Sequence, residues 1–433
     1  MNNNPIELLQ NLIRFDTSNP PGNEIECIKY LNEIITSAGF ATQIFSKDPN
    51  RPNLVTRLSG QGKANPLLLY GHVDVVPVKN QLWKYPPFEA RIAEGYLWGR
   101  GTLDMKGGVA MMVSALLKAK EENLTLPGDI ILAIVSDEEY GAEYGSKYLV
   151  ENHPDLFEGV KYAIGELGGF TFYVGKKKFY PIMVSEKSAC VIKITVRGPS
   201  GHGSLPIKGG TSEKLGALLT NLAKKSFPVH ITETAKLQID TVAANLSFPA
   251  SFFIRLLKYP SFTDKVLKIL GERALEFDAL THNTVNVINV SGGEQIWGMP
   301  SKLEVLLGAT LLPGYTPDDI ISELRQIAGD GYEYEMVYYV PMSKNIDMRL
   351  FDTLKNILNK ADPEGIVLPI LMPGPSDARF YSKLGIQTYG FIPMLLPEEV
   401  NFNKLFHGEN ERIPIEAIEF GVNNIYELLK CFK

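Results

Sequence analysis

Cysteine is scarce in this chain: Cys27, Cys190 and Cys431 are the three thiols among 433 residues. They are odd in number and none lies in a paired zinc or redox spacing, which excludes a disulfide scaffold and a thiolate metal site. Buried thiols of a cytoplasmic protein are expected instead. A surplus of positive charge is also lacking. Lys plus Arg total 43 against 49 for Asp plus Glu, a net charge of −6, so there is no basic face for nucleic acid. Apolar runs of bilayer-spanning length are missing, and no membrane partner is expected. The opening MNNNPIELLQNLIRFDTSNPPGNE has neither the charged nor the apolar region of a secretory leader. It reads as an amphipathic helix with Leu8, Leu9, Leu12 and Ile13 turned inward. Repeats and low-complexity linkers are absent too. Hydrophobic residues make up 45% of the chain, enough to bury two cores at a length that suggests about two to three domains.

Five metal-seeking side chains stand at the ends of what read as buried strands: His72, Asp104, Glu139, Glu166 and His407. In LLLYGHVDVVP the run Leu67 to Tyr70 reads as a parallel strand ended by Gly71, which puts His72 at its carboxyl end. Ligands and catalytic groups gather at that end of an open α/β sheet. Asp74 lies within reach of the imidazole, where a carboxylate accepting one ring N–H leaves the other nitrogen free for metal. Asp104 sits among Gly99, Gly101, Gly107 and Gly108, just before a helical stretch from Val109 to Lys118. The spacing matches neither phosphate-loop fingerprint. The strand Ile130 to Val135 runs into Asp137, Glu138 and Glu139, three adjacent carboxylates whose repulsion calls for a cation or a raised pKa. Glu166 follows a short strand in YAIGELGG, and His407 lies in LFHGENERI. Histidine and carboxylate without thiolate suit zinc in a catalytic site, with cobalt or manganese as substitutes.

Together these segments resemble one family, the zinc-dependent M20 metallopeptidases, which include aminoacylases, carboxypeptidases and acetylornithine and succinyl-diaminopimelate deacylases. GHVDVVP, GRGTLDMKGG, DEEYGAEYGS, SEKSA, GPSGHGSLP, PGPSDARF and FHGENERIP occur in the family's order over nearly the whole chain. The resemblance implies two zinc ions per chain, one held by His72 and Glu166, the other by Glu139 and His407, with Asp104 bridging. It also implies that Glu138 is the general base, that Asp74 orients His72, that the Asp104–Met105 peptide bond is cis, and that His202 steadies the oxyanion, often in a partner subunit. The expected activity is hydrolysis of an amide or peptide bond in an N-acyl amino acid or small peptide. A biosynthetic deacylase and a non-catalytic peptide binder are the alternatives. Many relatives carry N-x-I-P and an Asp/Asn-x-Arg pair where this chain has Trp297-Gly298-Met299-Pro300 and Gly308-Ala309-Thr310. Both anchors for a substrate carboxylate are thus missing, which leaves Arg379, with Ser376 and Gly374, as the anion contact and makes Trp297 a core-packing residue at a strand start.

Up to about residue 186 apolar strands alternate with helices, which predicts an α/β catalytic domain: a mainly parallel sheet covered on both faces. From Ala189 to about Val340 two β-α-β units with an antiparallel neighbour predict an α+β insertion with an exposed edge. The domains expected are therefore 1–186 plus 345–433 for catalysis and an insertion at 187–344, which the resemblance implies is a lid that carries the contact of a homodimer. The apolar group Phe248, Phe252, Phe253, Ile254, Leu256 and Leu257 is either lid core or the lining of a substrate path. His153, His230 and His282 match no motif and read as surface or packing residues.

Overall fold

The computed structural model describes residues 4–204, 208–271, 275–293, 296–342 and 346–433. Leu205 and Pro206 of the GPSGHGSLP motif, and the expected return point at Asn345, lie outside these. The chain divides into two compact units: Met1–Val184 with Ile346–Ile370 and Ser376–Lys433, and Ser185–Asn345 with Leu371–Pro375.

The first unit is built on a nine-stranded sheet whose middle is parallel. Leu67–His72 lies between Ile130–Val135 and Tyr162–Gly165, both parallel to it, and Gln387–Gly390 continues the parallel run beside Tyr162–Gly165. Antiparallel strands flank this centre, with Asn53–Leu58 and Thr42–Phe45 on one side and Lys177–Glu186 on the other. The three central strands are buried from end to end, as continuous Leu, Ile and Val runs require when helices cover both faces. The helix Lys106–Glu121 is buried over nearly its whole length and longer than the sequence suggests; it packs against Ile415–Cys431 and Pro5–Arg14. Asn4 caps the last of these by accepting from the N–H groups of Ile6 and Glu7, and Leu8, Leu9, Leu12 and Ile13 turn into the core. Cys27 and Cys190 are buried, whereas Cys431 is exposed on the final helical turn, against expectation. The 3.6-residue period of that amphipathic helix carries it outward.

The second unit holds a four-stranded sheet in the order Thr284–Ser291, Lys302–Leu311, Ser188–Arg197, Tyr332–Val340, antiparallel at every pairing. The two β-α-β units are therefore split: in each, the parallel strands are separated by a strand of the other. Alternate residues of Lys302–Leu311 are buried, and the covered face meets Leu218 of the helix Thr211–Lys224 and Ile320 and Leu324 of Pro317–Ala328. Thr316 and Asp319 cap that second helix reciprocally. Of the apolar insert, Ile254 and Leu257 are buried and Phe248 and Phe252 exposed. Trp297 is 77% exposed, which corrects its reading as core: it precedes the short strand Gly298–Met299, which pairs with Gly201–His202.

Candidate metal centre

Each site side chain in the first unit is placed by a strand end or a tight loop. His72 closes the central strand, level with Val135 on its neighbour, so Glu138 and Glu139 emerge just beyond it and Glu166 follows the next strand over. Three of these loops need a non-glycine residue in the left-handed region: Asp137, Leu167 and His407 have φ between 59° and 67°. Such backbone is sparsely populated and clusters at functional sites. In the glycine-rich loop a Cβ on Gly107 would lie 2.1 Å from the Thr102 carbonyl oxygen, so only glycine allows the turn that delivers Asp104. The Asp104–Met105 peptide bond is cis.

These loops converge. His72 Nε2 lies 3.2 Å from Asp104 Oδ1 and 3.4 Å from Glu166 Oε2, while His407 Nε2 lies 3.0 Å from Asp104 Oδ2 and 3.1 Å from Glu139 Oε2. The two oxygens of Asp104 are thus divided between two histidines. Donor atoms of His72, Asp104 and Glu139 fall within 4.8 Å of one another, as do those of His72, Glu138 and Glu166, which makes this a candidate metal site. Glu139 Oε1 is buried with no hydrogen-bond partner, an acceptor that a cation would satisfy.

Charge in so small a volume shifts every group. Burial pushes the carboxyls of Glu138, Glu139 and Glu166 up, Glu166 to about 7 and Glu138 well above the usual range, where Glu166 itself adds repulsion. Burial also acts on Asp104, yet hydrogen bonds from His407 and His72 hold its carboxyl far below normal. The histidines move oppositely. Burial disfavours their charge, but Asp104, Asp74 and Glu166 raise His72 well above its ordinary value, and Asp104 and Glu139 bring His407 to about 10. Without metal the site draws in protons, the behaviour of a pocket made for positive charge.

Asp74 works more through the backbone than the sequence suggests. His72 Nδ1 is nearer the Asp74 carbonyl oxygen, at 3.0 Å, than its carboxylate, at 3.5 Å. The carboxylate accepts the N–H groups of Glu138 and Glu139, each at 3.1 Å. Glu411, which the motifs do not single out, is fully buried and takes the N–H groups of Gly101, Leu103 and Asp104 at 3.1, 2.7 and 3.3 Å. Arg100 pairs with Glu411 at 2.5 Å and donates to the Gly408 carbonyl oxygen, so one ion pair fixes the loops of both Asp104 and His407. A buried acid four residues after a candidate ligand was the available signal, but its partner is 311 residues away in sequence.

Ser376 and Arg379 are buried in the first unit; Gly374 falls in the segment grouped with the second. Asp377 between them is also fully buried, and burial lifts its carboxyl to about 6 against the pull of Arg379. His202 belongs to the second unit, exposed and bonded through Nδ1 to Ser204 Oγ at 2.8 Å. Thr310 is engaged in its own sheet, 2.6 Å from Thr284 Oγ1. His230 pairs with Glu323, His282 with Asp264 and Asp278, and His153 packs tilted against Phe45.

Residues 68–430 match the model of peptidase family M20/M25/M40. The chain is 27% identical to a probable carboxypeptidase S-like 2 of Dictyostelium discoideum over 84% of its length and 71% of that protein. It is 26% identical to an N-fatty-acyl-amino acid synthase/hydrolase of Bos taurus, covering 88% of this chain and 77% of that one. Its fold matches an M20 family metallo-carboxypeptidase from Sulfolobus solfataricus with a TM-score of 0.68, 21% identity and 98% of each chain covered.

Proposed function

The chain belongs to peptidase family M20/M25/M40 and is a hydrolase of amide bonds; from that premise we propose a two-zinc enzyme that removes an acyl group or a carboxy-terminal residue from an N-acyl amino acid or small peptide. One observation carries the metal assignment: the two oxygens of Asp104 point to different histidines. On this reading His72 and Glu166 hold one ion, Glu139 and His407 the other, and Asp104 both. The ions supply Lewis acidity at the amide carbonyl and lower the pKa of water toward neutrality. Glu138 takes the water's proton and returns it to the leaving amine, a role suited to a carboxyl whose pKa burial has raised. Asp74 holds the His72 ring and the Glu138–Glu139 backbone in register. Arg379, with Ser376 and Gly374, takes the substrate carboxylate, and His202 steadies the oxyanion across a homodimer formed through the second unit, whose edge strand Thr284–Ser291 exposes Val287, Ile288 and Val290. The carboxypeptidase and acyl-amino acid hydrolase names among the relatives favour this substrate class, and the scarcity of cysteine favours a cytoplasmic setting.

Elemental analysis of the purified chain with a screen of N-acyl amino acids and dipeptides tests the proposal. Two divalent ions per chain are expected, with chelation removing activity and Asp104→Ala losing both metal and turnover. An Asp104→Ala chain that still hydrolyses these substrates overturns it.

A further inference from the structure

We propose that Asn19, Arg51 and Glu24 are positioning residues of the reaction, a buried relay that sets the His72 ring and the Glu138–Glu139 backbone from behind. This rests on the two-metal reading above and deepens it. The relay starts at Asp74, a carboxylate with no solvent exposure. Besides the two backbone N–H groups already described, its Oδ2 accepts from Asn19 Nδ2 at 2.8 Å. The same amide nitrogen donates its other hydrogen to Asp137 Oδ1 at 2.9 Å. Asn19 therefore spends both N–H groups on two carboxylates that would otherwise face each other unbridged. Asp137 Oδ1 also receives Arg51 Nη1 at 3.0 Å, and the far side of that guanidinium closes on Glu24 through a two-pronged pair at 2.7 and 3.1 Å. All five side chains are buried.

The geometry separates the three acids that the sequence sets side by side. Asp137, held in the left-handed region, has its carboxylate paired with Arg51, whereas Glu138 and Glu139 carry theirs to the cluster around His72. The repulsion within this acidic run is thus relieved in two ways, by an arginine for the first acid and by the cation-seeking cluster for the next two. The guanidinium is boxed in: it stacks 4.9 Å from the Tyr144 ring, and a Cβ on Gly22 would lie 2.3 Å from its central carbon. Arg51 has one place to be, and that place fixes Asp137. Asp137 and Asn19 in turn fix Asp74, whose oxygens bond His72, Glu138 and Glu139 together.

A buried ion pair is weak evidence for stability, since apolar replacements are often as good. A polar chain whose end sits on three groups of the site has a different consequence: its loss misplaces them while the fold survives. Groups that orient a metal-binding histidine typically change metal affinity about 10- to 100-fold when removed.

The test uses the full metal-loaded chain with Asn19→Leu, which keeps size and removes both donations, Asn19→Ser, which keeps one donor, and Arg51→Lys, which keeps the charge without the fork. Zinc affinity by chelator competition, kcat and KM on one N-acyl amino acid, and melting temperature of the metal-free chain are measured for each. Asn19→Leu is expected to weaken zinc binding at the His72 site by about 10- to 100-fold and to lower kcat with KM unchanged. Asn19→Ser and Arg51→Lys should fall between it and the unaltered chain. Variants that bind two ions as tightly as the unaltered chain with the same kcat, and differ in melting temperature alone, overturn the relay. If Asn19→Leu does not fold, unchanged affinity and kcat in Asn19→Ser and Arg51→Lys overturn it equally. An unaltered chain that binds fewer than two ions overturns the two-metal reading itself.

Discussion

The two units handle buried charge in opposite ways. In the first, the carboxylates of Asp74, Asp104, Glu138, Glu139 and Glu166 and the ring of His72 crowd into one place, supported from outside by Arg51 and Arg100. In the second, buried polar groups are satisfied where they stand. Lys187 donates to the carbonyls of Ala279 and His282 and to Thr284, and Glu323 takes up His230 and Asn283. Burial shifts Lys187 down to about 7, against the pull of Asp278, which is itself paired with His282. Polar burial therefore marks a site where the groups converge with acceptors left over, and marks packing where each donor finds its own carbonyl.

The sharpest break of this contrast comes from one substitution in each unit. Glu138→Gln is expected to keep both metals and lose turnover by about 10² to 10⁴. His202→Ala should cost about 10² to 10³ in kcat with metal content intact. Assays of turnover beside metal analysis check both; a fully active His202→Ala chain would confine the chemistry to the first unit.

Glu411→Gln is the next step down. It puts an amide N–H against three backbone N–H groups and removes the charge facing Arg100, so zinc affinity should fall about 10- to 100-fold. Chelator competition reads this directly, and unaltered affinity would make the pair a support of the fold only.

The smallest effect is one of pH. The folded chain holds Glu166 at about 7 and His407 at about 10, both above unfolded values of roughly 4.3 and 6.5. Through these two groups a metal-free folded chain binds more protons than the unfolded one, and their share of the stability falls as pH rises. The Glu166 share is lost between about pH 4.3 and 7 and the His407 share between about 6.5 and 10. Melting temperatures of chelated protein should decline across that window and flatten with zinc, whose ligands must be deprotonated to bind. A metal-free melting temperature that climbs with pH contradicts the assignment.

Much of the first unit is written in its local pattern. Leu67 to Tyr70 and Ile130 to Val135 are continuous apolar runs whose ends announce His72 and Glu138, and period and burial agree because both strands are buried from end to end inside the sheet. The supports were not legible in the same way. Glu411 meets Arg100 and Arg51 meets Glu24 across long stretches of chain, and nothing in the spacing of a lone arginine says which acid it will find. Trp297 misled for a related reason: an indole beside a strand reads as core only when something covers it, and here the indole is left exposed. Cys431 obeyed the helix period of its own segment, which overrides the general preference of thiols for burial.

That exposed cysteine has a practical side. Cys27 and Cys190 are buried and burial raises both thiols to about 11, so in the folded chain maleimide chemistry has one ready target, Cys431 on the final turn of the Ile415–Cys431 helix. A donor dye on one batch and an acceptor on another would report mixing of chains by energy transfer, with no substitution in the protein.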